Sequence, residues 1–192
     1  MISGILLAAG ESRRMGKPKL LLPWKKTTII EDVVDVYLKS TLSELIVVVG
    51  ENKESIKEVF KSKPVRIVEN LLYHQGMSTS IRAGVLAASR VAEGYCIGLG
   101  DQPLITAGVI NLLINSFLKD PTGIAVLSYQ GKRGHPVIFS SSFRDALCSL
   151  SGDLGGRAII ENHLSEVRYV EAGSKAVLVD IDTPEDYDKL PK

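Results

Sequence analysis

Short apolar runs rich in valine and isoleucine alternate along the chain with amphipathic stretches of helical period. Seven apolar runs are predicted as strands: residues 2–9, 44–50, 65–70, 94–100, 123–129, 136–140 and 167–172. Seven amphipathic stretches are predicted as helices: residues 29–40, 53–60, 78–92, 107–118, 143–150, 156–164 and 184–190. This alternation is typical of βαβ units with a mainly parallel sheet covered on both faces. A glycine-containing turn, "QGKRGH", predicts one antiparallel hairpin.

Composition narrows the class of partner. The 192 residues fit a single domain, residues 1–192, and carry 23 Lys and Arg against 22 Asp and Glu. A net charge of +1 argues against nucleic acid or an anionic membrane surface as the main partner, since both favour a broad basic face. No apolar run approaches the roughly 20 residues of a membrane span, and the start lacks a signal peptide pattern. Cys96 and Cys148 have no CxxC spacing, so we expect buried thiols in a cytoplasmic protein.

Positive charge is concentrated in one loop directly after the first predicted strand. The loop, residues 10–19, carries Gly10, Arg13, Arg14, Gly16, Lys17 and Lys19. Glycines let the backbone approach a ligand closely, and curved amides with basic side chains form a phosphate cradle. Five residues separate the glycines and Pro18 stands where a Walker A loop has Ser or Thr, so that motif is excluded, as is GxGxxG. The alternative is a solvated basic turn.

Acidic residues follow two other apolar runs. Asp101, in "GDQP", comes directly after the strand at 94–100, and Asp180 and Asp182 lie in "VLVDIDTPED". Because ligands collect beyond the carboxyl ends of strands, we expect Asp101 to lie near the basic loop and to be able to hold magnesium. Asp101 can also be a simple turn former, and Asp182 or Thr183 can be the N-cap of the last helix.

Three further segments are candidates for binding an anion. In "HQGMSTSIRAG", Ser78 is a plausible N-cap, and free amides at that helix start would suit an anion or a nucleotide sugar. The segment "GKRGHPVIF" is predicted to place Lys132, Arg133 and His135 at a hairpin tip. A glycine-rich turn, "SGDLGGRAII", carries Asp153 and Arg157. Each segment has a plain alternative as an ordinary capped helix or turn.

Taken together, six segments resemble a known family. They are "LAAGESRRMGKPKLLLPW", "GMSTSIRAG", "GDQP", "GKRGHPVIF", "GDLGGRAII" and "DIDTPEDY", in collinear order from residue 7 to residue 187. Their series is similar to that of the MobA-like nucleotidyltransferases, most closely the molybdenum cofactor cytidylyltransferases. The resemblance implies a three-layer α/β fold with a mostly parallel, Rossmann-like sheet, as in nucleotide-diphospho-sugar transferases. It also implies Mg²⁺ and the transfer of a nucleotidyl group from an NTP to a phosphate monoester.

The resemblance assigns roles by motif. The nucleotide would contact Leu7, Ala8, Ala9, Gly10, Gly16, Ser78 and Ser80. Arg14 and Lys19 would hold the triphosphate, and Asp101, with Asp182 less securely, would hold the metal. The second substrate, a molybdopterin, would face His135, Asp153 and Arg157.

Base choice depends on Ala9. The guanylyltransferase branch reads LAGG where this chain has Leu7-Ala8-Ala9-Gly10, and a methyl group at a close backbone approach can exclude the larger purine. The resemblance therefore favours CTP. Two alternatives stay open: a related enzyme using GTP or another phosphorylated acceptor, and a carrier that delivers cofactor to a molybdenum hydroxylase.

Overall fold

Seven strands form one central sheet. A computed structural model describes residues 1–153 and 155–191. The strands, including β2 and β3 outside this sheet, are β1 (Ile2–Ala8), β2 (Pro23–Trp24), β3 (Thr27–Thr28), β4 (Glu44–Val49), β5 (Arg66–Glu69), β6 (Gly94–Leu99), β7 (Ile124–Tyr129), β8 (Lys132–Ser140) and β9 (Val167–Glu171). In the main sheet their order is β5-β4-β1-β6-β8-β7-β9, while β2 and β3 pair separately as a small antiparallel ribbon that the sequence did not predict.

Helices cover the sheet. They are α1 (Ile29–Leu38), α2 (Lys53–Val59), α3 (Met77–Ala87), α4 (Ala107–Leu118), α5 (Arg144–Cys148), α6 (Arg157–Asn162) and α7 (Pro184–Asp188). Single turns of 3-10 helix span Lys19–Leu21, Tyr73–Gln75, Ser141–Phe143, Leu164–Glu166 and Lys175–Leu178. Among the residues described, no helix combines the length and the apolar character needed to cross a bilayer.

One strand runs against the others. β8 is antiparallel to both β6 and β7, whereas the remaining pairs of the main sheet are parallel. A two-residue turn joins β7 to β8, and Gln130 and Gly131 in it have φ angles of +50° and +76°, as a type I′ hairpin requires. The predicted hairpin is confirmed, but the turn is shorter than expected. Lys132, Arg133 and His135 therefore belong to the strand and not to the hairpin tip.

Two hydrophobic layers enclose the sheet, as the alternation of side chains along each strand requires. Ile2, Leu6 and Ala8 of β1 pack on the face covered by α1, α2 and α4. Ile5 of the same strand packs on the opposite face, against α3, α5 and α6. The predicted three-layer α/β architecture is thus confirmed.

The predicted bounds of α4 were correct, whereas the other predicted helices extended too far at their C-terminal ends. The largest error is α3, predicted to run to residue 92, which ends at Ala87 because Ala88 adopts an extended conformation. The next amide, that of Ser89, donates to the Glu44 carboxylate at 2.8 Å. This long-range bond to another strand stabilises the end of the helix, and a local helical pattern does not contain that information.

Candidate active site

The candidate site lies where the parallel strands end. β1 and β6 finish there at Ala8 and Leu99, which brings the basic loop and Asp101 to the same edge. β8 runs in the opposite direction, so it is its beginning, with Arg133 and His135, that reaches this edge. The sheet order therefore collects the predicted motifs from distant parts of the chain.

A cleft of about 400 Å³, here named the charged cleft, opens at this edge. Its lining consists of Leu7, Ala8, Ala9, Gly10, Glu11, Arg14, Lys19, Leu20, Tyr73, Gly76, Met77, Ser80, Leu99, Asp101, Asp153, Asp180 and Asp182. The lining includes most of the residues predicted for the nucleotide, the triphosphate and the metal. Gly16 and Ser78 are not part of it.

Lys19 connects the acidic residues of the charged cleft. Its Nζ donates to Asp101 Oδ2 at 2.6 Å and to Asp182 Oδ1 at 3.0 Å, and only 12% of its side chain is exposed. Burial by itself lowers the pKa of Lys19, but the carboxylates of Asp101 and Asp182 outweigh that effect and hold the pKa above its ordinary value. Lys19 is therefore an ammonium cation at neutral pH.

Asp182 is free to act in the cleft because it is not the N-cap of α7. Thr183 is the cap: its hydroxyl accepts from the Asp186 amide, and Asp186 completes a capping box. The Asp182 carboxylate instead accepts from Lys19 and pairs with Arg14 through Nη2 at 2.8 Å. The segment that carries it is fixed in place by the Ile181 amide, which donates to the Asp101 carbonyl at 3.1 Å.

Two of the four cations of the basic loop line the charged cleft, and the other two do not. Arg14 and Lys19 line the charged cleft, whereas Arg13 pairs with Glu11 at 2.8 Å and Lys17 is exposed. Ser12, with φ of +53°, organises the turn, since its carbonyl accepts from the amides of residues 15 and 16 and its hydroxyl accepts from the Lys19 amide at 3.2 Å. Gly16, with φ of +69°, serves this turn.

The acidic residues of the cleft suit a divalent cation shared with a ligand. Asp101 Oδ1 is buried and accepts no hydrogen bond from the residues that the structure describes. Partial burial, and after it the nearby charge of Asp101, raises the pKa of Asp180. Within residues 1–153 and 155–191, no group of three or more His, Cys, Asp or Glu side chains forms a complete metal site. Asp101 and Asp182 thus offer a partial set of oxygen ligands, the kind that magnesium completes with water and phosphate.

A second cavity of about 330 Å³, here named the apolar compartment, adjoins the charged cleft. Its walls are mostly aliphatic and aromatic side chains of the sheet, α3 and α6: Leu7, Met77, Ile81, Ile97, Val126, Val137, Phe139 and Ile160. Leu7, Met77 and Asp153 line both cavities and form the boundary between them. Polar groups enter the compartment from β8 and from the turn before α6.

Those polar groups include all three residues predicted for the second substrate, His135, Asp153 and Arg157, together with Arg133. His135 Nδ1 is buried and has no hydrogen-bond partner within residues 1–153 and 155–191. Burial lowers the pKa of this histidine, although the charge of Asp180 acts in the opposite direction. Glu161 accepts from Arg157 Nε at 2.7 Å and from Arg133 Nη2 at 3.2 Å. One carboxylate therefore holds two guanidinium groups beside the compartment.

The start of α3 differs from the prediction. Gly76, not Ser78, is the N-cap, and no side chain of the cap bonds the helix. Asp153 Oδ1 accepts from the Met77 amide and the Gly152 carbonyl accepts from the Ser78 amide, both at 3.2 Å, so these two amides are not free for an anion. Ser78 itself is fully buried, and its hydroxyl has no hydrogen-bond partner in the described part of the chain.

Some residues at the two cavities were not predicted from the sequence. Tyr73 faces the charged cleft but lies one residue before the segment that was singled out. Met77 was treated as part of an ordinary helix start, yet it separates the two cavities. Glu161 gave only a weak signal, its spacing of four residues from Arg157.

Residues 4–167 match the MobA-like NTP transferase domain. The chain belongs to this family. It is 30% identical to nicotine blue oxidoreductase of Paenarthrobacter nicotinovorans, over 98% of this chain and 96% of that one. It is 34% identical to purine catabolism protein PucB of Bacillus subtilis (97% and 94% covered) and 30% identical to molybdenum cofactor cytidylyltransferase of Escherichia coli (97% and 93% covered).

Solved structures support the same membership. A nucleotidyl transferase from Methanothermobacter superposes with a TM-score of 0.84 at 26% identity, covering 98% of this chain and 95% of that one. A Mycobacterium tuberculosis protein in complex with manganese superposes with a TM-score of 0.82 at 29% identity, covering 98% and 97%. The MobA-like chain is thus a nucleotidyltransferase by fold and by family. Asp182 lies outside residues 4–167, so the family match does not include it.

Proposed function

We propose that the chain transfers CMP from CTP to the terminal phosphate of the molybdenum-molybdopterin cofactor, releasing pyrophosphate. The observation that carries the proposal is the pair of adjoining cavities, one charged and one apolar, that meet at Leu7, Met77 and Asp153. A nucleotide in the first and a largely planar acceptor in the second would meet at that boundary. The relative named molybdenum cofactor cytidylyltransferase, similar over 97% of the chain, supports this choice of acceptor.

In this proposal the nucleotide occupies the charged cleft. Leu7, Ala8, Ala9 and Gly10 would follow the base and ribose along the end of β1, with Ser80 on the other wall. Arg14 and Lys19 would bind the triphosphate, because they are the cations of the basic loop that line the cleft. Ser78 has no direct part, since its buried position leaves no route to a ligand.

The reaction needs no general base. A phosphate monoester has a second pKa near ~6 and is mostly a dianion at neutral pH. One of its oxygens attacks the α-phosphorus of CTP, a new P–O bond forms, and the bond to the oxygen that bridges to the β-phosphorus breaks as pyrophosphate leaves. The chain's part is to position the two phosphates and to neutralise charge on the leaving group, which Arg14 and Lys19 would do.

Asp101 and Asp182 would hold Mg²⁺, which when bound supplies further neutralisation of phosphate charge. The buried, unpartnered Oδ1 of Asp101 supports this assignment. The similar Mycobacterium tuberculosis structure is a complex with manganese, which supports a divalent cation without selecting magnesium.

Ala9 would select the base. It is buried, with 6% of its surface exposed, and lies against Gly50, where an added Cβ would come within 3.0 Å of the Ala9 methyl group. Ala9 also lines the charged cleft, and its methyl group would leave less room for a base there than a glycine would, which favours a pyrimidine over a purine. The product would then pass to a molybdenum hydroxylase apoenzyme in the cytoplasm.

The test is pyrophosphate release by the purified chain, with each of the four NTPs and with molybdopterin before and after molybdate loading. We expect release with CTP and molybdopterin. Release only with GTP would contradict the argument from Ala9, and release only with a sugar phosphate would contradict the acceptor. Tight binding of the pterin with no pyrophosphate from any NTP would indicate a carrier.

A further inference from the structure

Both cations that would bind the triphosphate are already bound to one carboxylate. Arg14 Nη2 lies 2.8 Å from Asp182 Oδ2, and Lys19 Nζ lies 3.0 Å from Asp182 Oδ1. Each oxygen of Asp182 therefore has its own cation. Asp182 thus binds the two cations as a phosphate group would, because it carries negative charge and presents one oxygen to each of them.

Lys19 in turn occupies the position between the acidic residues. Its Nζ contacts Asp101 Oδ2 at 2.6 Å as well as Asp182, and its side chain is 12% exposed. Asp101 and Asp182 are also the carboxylates proposed to hold the divalent cation. As long as the Lys19 ammonium lies between them, a metal ion that approaches this pair meets a like charge at close range.

We propose that nucleotide binding exchanges these ion pairs: phosphate oxygens take Arg14 and Lys19 from Asp182, and Asp182, with Asp101, then accepts the divalent cation. This inference rests on the proposed function, since it assigns the nucleotide to the charged cleft. Arg14 and Lys19 each exchange the Asp182 carboxylate for phosphate oxygens, and Asp182 exchanges these two cations for one divalent cation, so no charge is left unpaired after the exchange.

The exchange makes the metal and the nucleotide depend on each other. Without metal, the nucleotide competes with Asp182 for its two cations; without nucleotide, the metal competes with Lys19 for its two carboxylates. Coupling between two ligands is reciprocal, so each must raise the affinity of the other by the same factor. The wild-type chain therefore binds the two ligands together far better than it binds either alone.

The first half of the test measures CTP binding by calorimetry in the presence of a chelator. Asp182→Asn keeps the shape of the side chain and removes its charge, so Arg14 and Lys19 are released for the nucleotide. We expect metal-free CTP to bind Asp182→Asn about tenfold more tightly than wild type. Asp188→Asn, an exposed residue of α7 that forms no ion pair among the described residues, is the matched control and should bind as wild type does.

The second half measures Mn²⁺ binding without nucleotide by electron paramagnetic resonance. Lys19→Met removes the ammonium from between the carboxylates, and we expect Mn²⁺ affinity to rise by about tenfold. Lys17→Met, in the same loop but exposed and in no described ion pair, should leave Mn²⁺ affinity unchanged. Near-ultraviolet circular dichroism of each variant checks that it is folded.

The outcomes separate this inference from the proposed function. If wild type releases pyrophosphate but Asp182→Asn binds metal-free CTP no more tightly, or Lys19→Met binds Mn²⁺ no more tightly, the exchange is wrong and the transferase stands. If both gains in affinity occur but no NTP is turned over, the exchange stands and the proposed reaction is wrong. Equal affinity of wild type for Mn²⁺ with and without CTP also overturns the exchange.

Discussion

The two cavities of the candidate site are built in different ways. The charged cleft is held by short ion pairs among Arg14, Lys19, Asp101 and Asp182, which come from the segments after β1 and β6 and from the segment just before α7. The apolar compartment is walled by core side chains of the sheet and two helices, and its charged lining residues are Arg133, Arg157 and the boundary residue Asp153, with Glu161 as the partner of both arginines. In the proposed reaction, this difference means that placed charges would serve the reacting phosphates, whereas shape and apolar surface would serve the acceptor. Substitutions in the two cavities should therefore affect different kinetic constants.

The largest effect is expected from Asp101→Asn in the charged cleft. This substitution removes a preorganised charge next to Lys19, and kcat should fall by roughly 100- to 1000-fold. The KM for the acceptor should change little, because Asp101 does not line the apolar compartment. Steady-state pyrophosphate release, with Asp188→Asn as the control, measures both constants. Turnover within a few-fold of wild type would remove Asp101 from the reaction centre.

A smaller effect of a different kind is expected in the apolar compartment. Arg157→Met removes one of the two guanidinium groups held by Glu161, and the KM for the acceptor should rise by about tenfold while the KM for CTP stays the same. Arg82→Met is a suitable control, since Arg82 is an exposed cation of α3 in no described ion pair. A rise in the KM for CTP alone would reverse the assignment of the two cavities.

The next prediction concerns the methyl group of Ala9 and the choice between CTP and GTP. Ala9→Gly should lower the preference for CTP over GTP by roughly tenfold or less, the usual effect of a single methyl group in a pocket. Thermal shifts with each NTP and magnesium measure the preference, because a ligand that binds only the folded state raises its stability. An unchanged ratio would mean that the base is selected elsewhere, and Tyr73 would be the next residue to test.

The smallest effect concerns pH and reports on the apolar compartment. Burial lowers the pKa of His135, so the folded chain binds this proton less readily than the unfolded chain. The free energy of unfolding should therefore decrease as pH falls below about 6.5 and level off below the folded-state pKa. His135→Gln lacks the titrating group, and its Tm should fall less over the same range. Parallel Tm profiles for the two proteins would contradict a desolvated His135.

The sequence predicted the charged cleft better than the apolar compartment, for a physical reason. Lys19 and Asp101 lie in short motifs directly after strands, and the parallel order brings strand ends together. The compartment depends instead on β8 being antiparallel to its neighbours, which carries His135 into the sheet. The local sequence pattern alone had placed His135 at a hairpin tip. The sequence alone could not decide whether Asp182 is a metal ligand or the N-cap of α7, because only the fold shows that Thr183 is the cap.

Ser78 was assigned to the nucleotide by resemblance, and its complete burial could not be read from its neighbours. Nor could the occupied amides of Met77 and Ser78, because their acceptors, Asp153 and Gly152, lie more than 70 residues away along the chain. Contacts of this length depend on tertiary packing, which local propensity does not encode.

The most direct test of the central claim, nucleotidyl transfer from the charged cleft to an acceptor in the apolar compartment, follows phosphorus label from CTP. The chain would be incubated with molybdate-loaded molybdopterin, magnesium and CTP labelled either at the α- or at the γ-phosphorus. The account predicts that α-label enters the pterin product and that γ-label leaves as pyrophosphate, in equal amounts. Transfer of γ-label to the pterin, or no transfer of either label, would contradict it.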